Sequence, residues 1–242
     1  MRWTRLSWLL LGVLSIVPGA ARGQDYHPLT PGLTWRYENA SGSVLDVSML
    51  GTEEIDAETT YLRREIYPDQ VVLNYWTREV DGTLLLHGAR NLTFRYRAYY
   101  DPPIHMLEAP FLSGHTWGPT VVTVCDETGG GGSCDEVSYT GEVVAVNESL
   151  TVPNGTYSAA GVQIALAPVG VSALAPFDVL GRYVELTGRS GAADTDWYSD
   201  GTGIVRQEWA FSGEVWDLHE TGTTTPVTRV RWSDVKARYV VP

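Results

Sequence analysis

The chain has 242 residues, with 29 acidic against 17 basic side chains and a net charge of −12. The phosphates of nucleic acids repel a protein of this charge, and its arginines form no cluster, so nucleic acid is excluded as a partner. A single lysine, Lys236, beside 16 arginines is typical of a GC-rich and hence bacterial genome.

The first 23 residues have the features of a secretory signal peptide in the usual order. Arg2 and Arg5 give a positive start, an apolar run covers residues 8–17, and small residues precede Gln24. The rival interpretation is a membrane anchor, but this run is far shorter than the roughly 20 residues that a spanning helix needs. We therefore expect a signal peptide over 1–23, no membrane span, and a mature chain, residues 24–242, exported to the periplasm or the medium.

Beyond the leader, the chain has the pattern of an antiparallel all-β protein. Short runs of valine, isoleucine, threonine and aromatic residues alternate with turn residues, and helical periodicity is almost absent. Asp81-Gly82 and Asn154-Gly155 are strong hairpin turns. Only residues 172–180 and 233–238 resemble single helical turns. In chain order, the predicted strands are Leu33–Glu38, Val44–Glu54, Thr59–Tyr67, Val71–Val80, Thr83–Ala89, Leu92–Tyr100, Thr120–Asp126, Glu136–Glu148, Thr156–Ala167, Arg182–Thr187, Thr195–Ser199, Gly203–Phe211, Glu214–Glu220 and Val227–Trp232.

These strands predict one all-β domain over residues 24–242, because no low-complexity linker divides the chain and the length suits a single large β domain. The expected fold is a single strongly curved antiparallel sheet or incomplete β-barrel of about ten to thirteen strands. A two-sheet β-sandwich is the alternative.

The two cysteines, Cys125 and Cys134, bracket the glycine-rich run 129–133. In an exported protein this arrangement predicts a local disulfide that caps a hairpin. Closing so small a ring stabilises the fold by about 2.5–3 kcal/mol in the chain-entropy model. A redox or metal-binding role would require a shorter spacing between the two cysteines or neighbouring histidines.

No motif for catalysis, for metal binding or for cofactor binding is found. We therefore expect a non-enzymatic protein that uses neither a metal nor a cofactor. The five histidines are scattered and form no zinc-binding pattern. No G-x-S-x-G nucleophile elbow occurs, and a bonded Cys125 could not act as a nucleophile.

The acidic residues offer two weaker candidates. Asp194, Asp196 and Asp200 loosely resemble a calcium loop but lack its distal glutamate; the simpler interpretation is a strand between two aspartate-rich turns. The paired carboxylates of a glycosidase meet only in space, so sequence alone leaves that pair open. The glutamates to inspect for such a pair are Glu185, Glu208 and Glu214.

Aromatic residues are the remaining signal. The chain has nine tryptophans and 13 tyrosines but only four phenylalanines. Tyrosine and tryptophan suit a cavity that is apolar inside and wet at its mouth, or a sugar-stacking platform. They also suit the ordinary core of a wide β-structure. The candidate ligand-binding residues are Trp76, Trp197, Trp209 and Trp216.

Several phrases of the chain occur together in a known group of proteins. They are Tyr26–Tyr37, Val80–Leu86, Asp101-Pro102-Pro103, Gly114–Trp117, Val152–Tyr157 and Trp197–Val205. The chain resembles a broad group of exported bacterial proteins of unknown function that begin PL-x-x-G-x-x-W-x-Y and carry VPAGTF and W-x-x-x-GVG-x-V further on. It departs from that pattern at Asn154, Tyr157 and Thr202. The resemblance implies a curved antiparallel sheet, similar to the open barrels of periplasmic lipoprotein carriers, whose concave apolar face would bind lipid-like molecules.

Three functions follow as hypotheses. The first is an exported non-enzymatic protein that holds a hydrophobic or amphipathic ligand in the concave sheet. The second is a carbohydrate-binding module, which predicts that two or three of the candidate tryptophans lie coplanar and exposed on one face. The third is a structural or adhesive envelope protein, which predicts no cavity and a flat apolar patch.

Overall fold

The computed structural model describes residues 25–55, 57–126, 134–169, 193–210 and 212–224. These residues form twelve strands: β1 (Leu33–Asn39), β2 (Val44–Ile55), β3 (Glu58–Ile66), β4 (Val71–Arg78), β5 (Leu84–Asn91), β6 (Tyr96–Leu107), β7 (Thr116–Asp126), β8 (Cys134–Val152), β9 (Gly155–Pro168), β10 (Ala193–Ser199), β11 (Gly203–Glu208) and β12 (Val215–Thr223). Each strand pairs antiparallel with its neighbours in the chain, and β1 also pairs with β12, so the sheet closes into a barrel. The predicted all-β, barrel-like fold is confirmed, and the β-sandwich alternative is wrong.

Closure is carried by β1, which is hydrogen-bonded on both sides. Its register with β12 runs from Leu33 opposite Thr223 to Asn39 opposite Trp216, with one shift between Arg36 and Tyr37. A closed sheet has no unpaired edge strand, which removes the edge as a template for aggregation.

Most predicted strand bounds lie within a few residues of those observed, and β6 is the main exception. The prediction ended it before Asp101-Pro102-Pro103, but the strand continues to Leu107. In the β5–β6 ladder, Tyr99 pairs with Gly88 and Ile104 with Leu86, so the prolines fall in a bulge. Proline lacks a backbone N–H, and a bulge requires none from it. The predicted strands Arg182–Thr187 and Val227–Trp232, the two helical turns and the signal peptide lie outside the described residues.

Along each strand, successive side chains point alternately to the interior and to the outer face of the barrel. In β2, Leu45, Val47 and Met49 point inward and are buried, whereas Asp46 points outward. The inward side chains of the twelve strands form one continuous apolar cluster, and the short second cluster of Leu62, Leu73 and Tyr75 lies on the opposite face of β3 and β4. The barrel therefore has a single main core inside its wall.

A circular barrel of twelve strands is wider than one layer of side chains can fill. Twelve strands about 4.8 Å apart and tilted by about 40° enclose a circular barrel roughly 24 Å across. Eight strands already give an interior that side chains just fill, while two facing side-chain layers occupy about 10 Å. Side chains nevertheless meet across this interior: the rings of Tyr67 and Trp209 lie 6.0 Å apart, and the His27 ring lies between Trp76 of β4 and Tyr198 of β10.

The segment before β1 closes one end of the barrel, which we call the lower end. Tyr26, His27 and Leu29 are buried there, and the His27 ring lies 5.1 Å from the ring of Trp76. Asp25 bonds across this end: its backbone N–H donates to Asp200 Oδ1 (2.6 Å) and its carboxylate pairs with Arg78 (2.6 Å). Because β4 and β10 lie on opposite sides of the barrel, the segment spans the lower end from wall to wall.

The upper end carries the β3–β4, β7–β8 and β11–β12 connections. Cys125 and Cys134 are bonded at the top of β7 and β8, which confirms the predicted disulfide and its place on a hairpin. Within the part of the chain that the structure describes, no helix is long and apolar enough to cross a membrane.

Candidate functional site

Three aromatic rings meet at the upper end of the interior. Trp209 follows β11, and its ring lies 5.3 Å from the ring of Trp216 on β12 and 6.0 Å from that of Tyr67 after β3. The contact between Tyr67 and Trp209 crosses the barrel, since β2, β1 and β12 separate the two turns on the wall. These rings narrow the upper interior and line it with faces that are apolar at the centre and polar at the indole or hydroxyl edge.

Tyr67 also connects the ring cluster to a buried ion pair. Its hydroxyl donates to Glu65 Oε2 (2.5 Å), and Glu65 pairs with Arg63 at 3.1 Å. Both charged side chains are nearly fully buried. The Arg63 guanidinium lies 5.9 Å from the ring centre of Trp76, which in turn contacts His27 of the lower end. A continuous chain of polar and aromatic contacts thus runs through the interior from the lower segment to Trp209.

A row of polar side chains crosses three neighbouring strands of the inner wall. Asp196 of β10 is in register with Gln207 of β11, and Gln207 is in register with Trp216 of β12. Register partners point to the same side of a sheet, and all three are buried. This row, Asp196–Gln207–Trp216, is called the polar row below.

Two members of the polar row keep unused hydrogen-bonding groups. Gln207 is 1% exposed, yet within the described part of the chain neither its Oε1 nor its Nε2 has a hydrogen-bond partner. The indole N–H groups of Trp216 and of the adjoining Trp209 are likewise buried without an acceptor. Buried polar groups are hydrogen-bonded in the great majority of cases, and each exception calls for an explanation. Among the described residues, the carboxamide of Gln207 and the indole N–H groups of Trp209 and Trp216 are therefore left without hydrogen bonds at the upper interior.

Charged side chains are buried inside the described part of the barrel. Among the described residues, the buried ionisable carboxylates are Glu65, Asp194 and Asp196, against the one buried arginine, Arg63. Asp194 has a structural role, because its Oδ1 accepts from the backbone N–H of Ala210 (2.9 Å) and so holds the turn that carries Trp209. Asp196 accepts a long bond from the Tyr198 hydroxyl (3.4 Å).

The structure separates the four candidate tryptophans into different environments. Trp209 and Trp216 are brought together, and Trp76 lies on the inner wall further down, next to His27. Trp197 points to the outer face of β10, where its ring covers Gly161 of β9. The carbohydrate-module hypothesis required coplanar, exposed rings on one face, but Trp76 and Trp216 are buried and the planes of Trp209 and Trp216 differ by 40°.

The sequence pattern of Asp194 and Asp196 indicated a calcium loop or aspartate-rich turns and did not predict that both would lie in the interior. Three glutamates were candidates for a carboxylate pair. Glu208 points outward from β11, and Glu214, in the β11–β12 turn, accepts a hydrogen bond from the Asn39 side chain (3.2 Å). Glu185 lies outside the described residues. The signal for Asp194 and Asp196 was their spacing of two residues with Tyr198, which places all three on one face of a strand. It was overlooked because the usual rule would turn the apolar Trp197 inward and the aspartates outward.

The described outer wall carries one shallow depression of about 300 Å³ over β7 to β10. Thr140, Glu142, Gln163 and small residues such as Ala165 line it, beside the ring of Trp117. Among the described residues, no group of three histidine, cysteine, aspartate or glutamate side chains could hold a metal ion.

Comparison with protein-family models and with curated proteins finds no match. Among solved structures, the chain is similar to a candidate exported protein with a YmcC-like fold from Bacteroides fragilis, at 14% identity and a TM-score of 0.48, over 83% of this chain and all of that one. It is also similar to a candidate lipoprotein from Parabacteroides distasonis, at 15% identity and a TM-score of 0.37, over 82% of this chain and 99% of that one.

Proposed function

We propose that this chain is an exported, non-enzymatic binding protein that holds one amphipathic small molecule inside the barrel. The apolar part of the ligand would contact the apolar core, and its polar part would meet the polar row and Trp209 at the upper end. The observation that carries this proposal is the Gln207 carboxamide, which is buried in the interior with neither of its polar atoms bonded to any residue that the structure describes. A ligand that bonds it would remove the cost of roughly 1–3 kcal/mol for a buried group without a partner.

Two features of the whole barrel support the interior as the site. Its inner face is mainly apolar, with the polar row near the upper end, and its lower end is closed by the segment 25–32. Apolar pockets with a few convergent polar groups are the usual architecture of small-molecule sites.

The proposal is tested on the full chain produced with its leader in a bacterial host. N-terminal sequencing of the exported protein is expected to begin at Gln24. Solvent extraction of the purified protein followed by mass spectrometry is expected to release an amphiphile in a molar ratio near one. An environment-sensitive dye with an alkyl chain should bind the delipidated protein with a similar stoichiometry.

Two matched variants locate the binding. Trp216→Phe is expected to weaken dye binding, whereas Trp197→Phe, which alters a tryptophan of the outer face, should leave it unchanged. Absence of both a co-purified amphiphile and dye uptake would contradict the proposal, as would binding that depends on Trp197 and not on Trp216.

A further inference from the structure

We propose that the polar end of this ligand is a carbonyl or carboxylate group that accepts hydrogen bonds from Gln207, Trp209 and Trp216. The inference rests on the proposed function and names the headgroup chemistry of that same site.

Donors outnumber acceptors among the unbonded groups of this site. The Gln207 carboxamide carries two N–H bonds and one oxygen, and the indoles of Trp209 and Trp216 carry one N–H bond each. Among the described residues, none of these groups has a hydrogen-bond partner. A ligand that fits the site therefore has to supply mainly acceptors.

The Asp196 carboxylate next to Gln207 is not a free acceptor. It accepts from the Tyr198 hydroxyl (3.4 Å) and takes part in further interactions of its own. Although it is in register with Gln207, no hydrogen bond joins it to the Gln207 amide. The amide and indole N–H groups are therefore left for a ligand.

Two other tryptophans show which kind of acceptor the buried indoles of this protein use. Trp35 is buried, and its indole N–H donates to the carbonyl oxygen of Thr202 (2.7 Å). Trp117 is also buried and donates in the same way to the carbonyl oxygen of His105 (2.9 Å). Trp216 is equally buried but has no such oxygen among the described residues. A ligand carbonyl or carboxylate supplies the missing acceptor.

The fold brings the three donor side chains to one place. Gln207 and Trp216 are register partners on β11 and β12, and the rings of Trp209 and Trp216 lie 5.3 Å apart. Register partners on one face of a sheet have Cβ atoms about 4.5–5.5 Å apart, so their side chains can reach the same headgroup. With the alkyl chain on the apolar inner wall, the ligand class is a fatty acid or a neutral fatty acyl ester or amide.

A cationic headgroup leaves these donors unbonded. An ammonium group has N–H donors and no lone pair, and a trimethylammonium group has neither. The N–H groups of Gln207 and Trp216 would then stay buried without an acceptor after the ligand had bound, which is costly. A carboxylate accepts charge-assisted hydrogen bonds and a carbonyl accepts neutral ones, so both satisfy the donors.

The test compares four amphiphiles that share a twelve-carbon chain and differ in the polar end. Dodecanoate is an anionic acceptor, N,N-dimethyldodecanamide is a neutral acceptor without N–H groups, dodecylammonium is only a donor, and dodecyltrimethylammonium is neither. Each displaces the bound dye from the delipidated protein at neutral pH, below its critical micelle concentration. We expect at least one of the two acceptors to bind at least about tenfold more tightly than both cations, the order of one hydrogen bond regained by a buried group.

The two acceptors distinguish the two sources of this chemistry. Tighter binding of dodecanoate assigns the ligand to the fatty acids, and tighter binding of the amide assigns it to the neutral acyl esters or amides. The oxygens of a glycoside headgroup also accept hydrogen bonds, so we expect an alkyl glycoside to bind the same site.

Gln207→Leu removes the carboxamide and keeps a side chain of similar size. We expect it to reduce the preference for acceptors severalfold, while the midpoint of thermal unfolding of the delipidated protein stays the same or rises, because an unbonded amide is removed. A glutamine with a purely structural role would give a lower midpoint and an unchanged preference. The matched control is Gln163→Leu on the outer face of β9, whose amide donates to Thr195 (3.3 Å) and which should keep the preference.

Trp216→Phe tests a second donor, because it deletes the indole N–H and keeps an aromatic ring. It should weaken binding of the acceptor amphiphiles more than that of the cations. Trp35→Phe is its control: that indole N–H is already bonded within the fold, so its loss should lower the unfolding midpoint and leave the preference intact.

The outcomes separate the two proposals. If the protein takes up neither the dye nor any of the four amphiphiles, the proposed function itself fails. If the cations bind as tightly as the acceptors, the barrel is a binding protein but the acceptor inference is wrong. A preference that persists undiminished in both Gln207→Leu and Trp216→Phe would overturn the role given to these donors.

Discussion

Gly141 of β8 lies opposite Trp117 of β7 and allows the two strands to pack around the indole ring. A Cβ built on Gly141 would lie 2.0 Å from Cε2 of that ring, far inside van der Waals contact. The ring is also fixed by its N–H, which donates to the carbonyl oxygen of His105 (2.9 Å). The position therefore requires glycine for lack of space and not for backbone conformation.

We expect Gly141→Ala to lower the free energy of unfolding by about 1–3 kcal/mol, the usual range for overpacking a core. Urea unfolding measures the loss, and near-ultraviolet circular dichroism should report the displaced indole. Gly222→Ala is the control, because its Cβ would meet only the Thr34 hydroxyl at 3.0 Å, a side chain that can rotate away. Equal losses in the two variants would contradict this account of Gly141.

Ionisation of the buried Tyr75 hydroxyl is expected to lower the free energy of unfolding at alkaline pH. Burial, reinforced by the Glu53 charge, raises the pKa of its hydroxyl above the value of a free tyrosine. The folded protein then holds this proton to higher pH than the unfolded chain, so the contribution is complete below about pH 10 and is lost as pH rises further. Unfolding free energy should fall as the pH rises above about 10, and less steeply in Tyr75→Phe. Tyr139, whose pKa burial also raises, should account for part of the remaining slope. Identical slopes in wild type and Tyr75→Phe would contradict the assignment.

At the residue scale, some features of the fold were predictable from the sequence and others were not. Strand positions were predictable from alternation and turn residues, and the disulfide from cysteine spacing. The direction of β10 was not, because its apolar Trp197 faces outward and its aspartates face inward, against the rule that places apolar residues inside. The pairing of Asp196, Gln207 and Trp216 depends on the register of three strands, and that of β10 with β11 shifts between Trp197 and Tyr198, which the strand pattern did not predict. Gln207 carried no signal as a lone polar residue in a strand.

At the scale of elements, hairpin turns were the most predictable features. Asp81-Gly82 and Asn154-Gly155 connect the strands they were expected to connect, since their backbone preferences act locally. The β8–β9 turn has a further role that its sequence does not reveal: the Asn154 backbone N–H donates to the carbonyl oxygen of Leu218 on β12 (3.0 Å). This contact helps to close the lower end where β11 and β12 diverge.

The lower segment should contribute to stability chiefly through Tyr26. Its ring packs edge-on against Phe111 at 4.9 Å and is buried, so Tyr26→Ala should cost about 2–4 kcal/mol of unfolding free energy. Acrylamide should also quench Trp76 more strongly once the segment is loosened. Asp25→Asn, which weakens a half-exposed ion pair with Arg78, should cost less than about 1 kcal/mol. An unaltered unfolding midpoint in Tyr26→Ala would show that the segment does not close the barrel in solution.

The disulfide should stabilise the β7–β8 hairpin mainly through the unfolded state. For a separation of nine residues, the chain-entropy model gives about 2.5–3 kcal/mol. The double variant Cys125→Ser with Cys134→Ser should lose that amount in urea unfolding, with the ligand affinity unchanged because the bond lies on the rim and not in the polar row. A large loss of affinity in a variant that remains folded would contradict this separation of roles.

At the scale of the whole molecule, the proposed function depends on the closure of the barrel and on the content of its interior. Closure was predictable only as strong curvature, because the β1–β12 pairing joins residues about 190 positions apart, such as Leu33 and Thr223, and no local pattern reports it. The consequence is a wall whose lower end is closed by the segment 25–32 and whose interior, among the described residues, holds the unbonded carboxamide of Gln207. The proposed function therefore requires that the ligand lie inside the barrel wall.

The most direct measurement is quenching of tryptophan fluorescence by a dodecyl glycoside whose alkyl chain carries bromine near the headgroup. The account predicts strong quenching of the wild-type protein at a one-to-one ratio. It also predicts that Trp209→Phe and Trp216→Phe each remove part of the quenched emission, while Trp197→Phe leaves that part intact. Quenching that disappears with Trp197 and persists without Trp209 and Trp216 would place the ligand on the outer face and contradict the account.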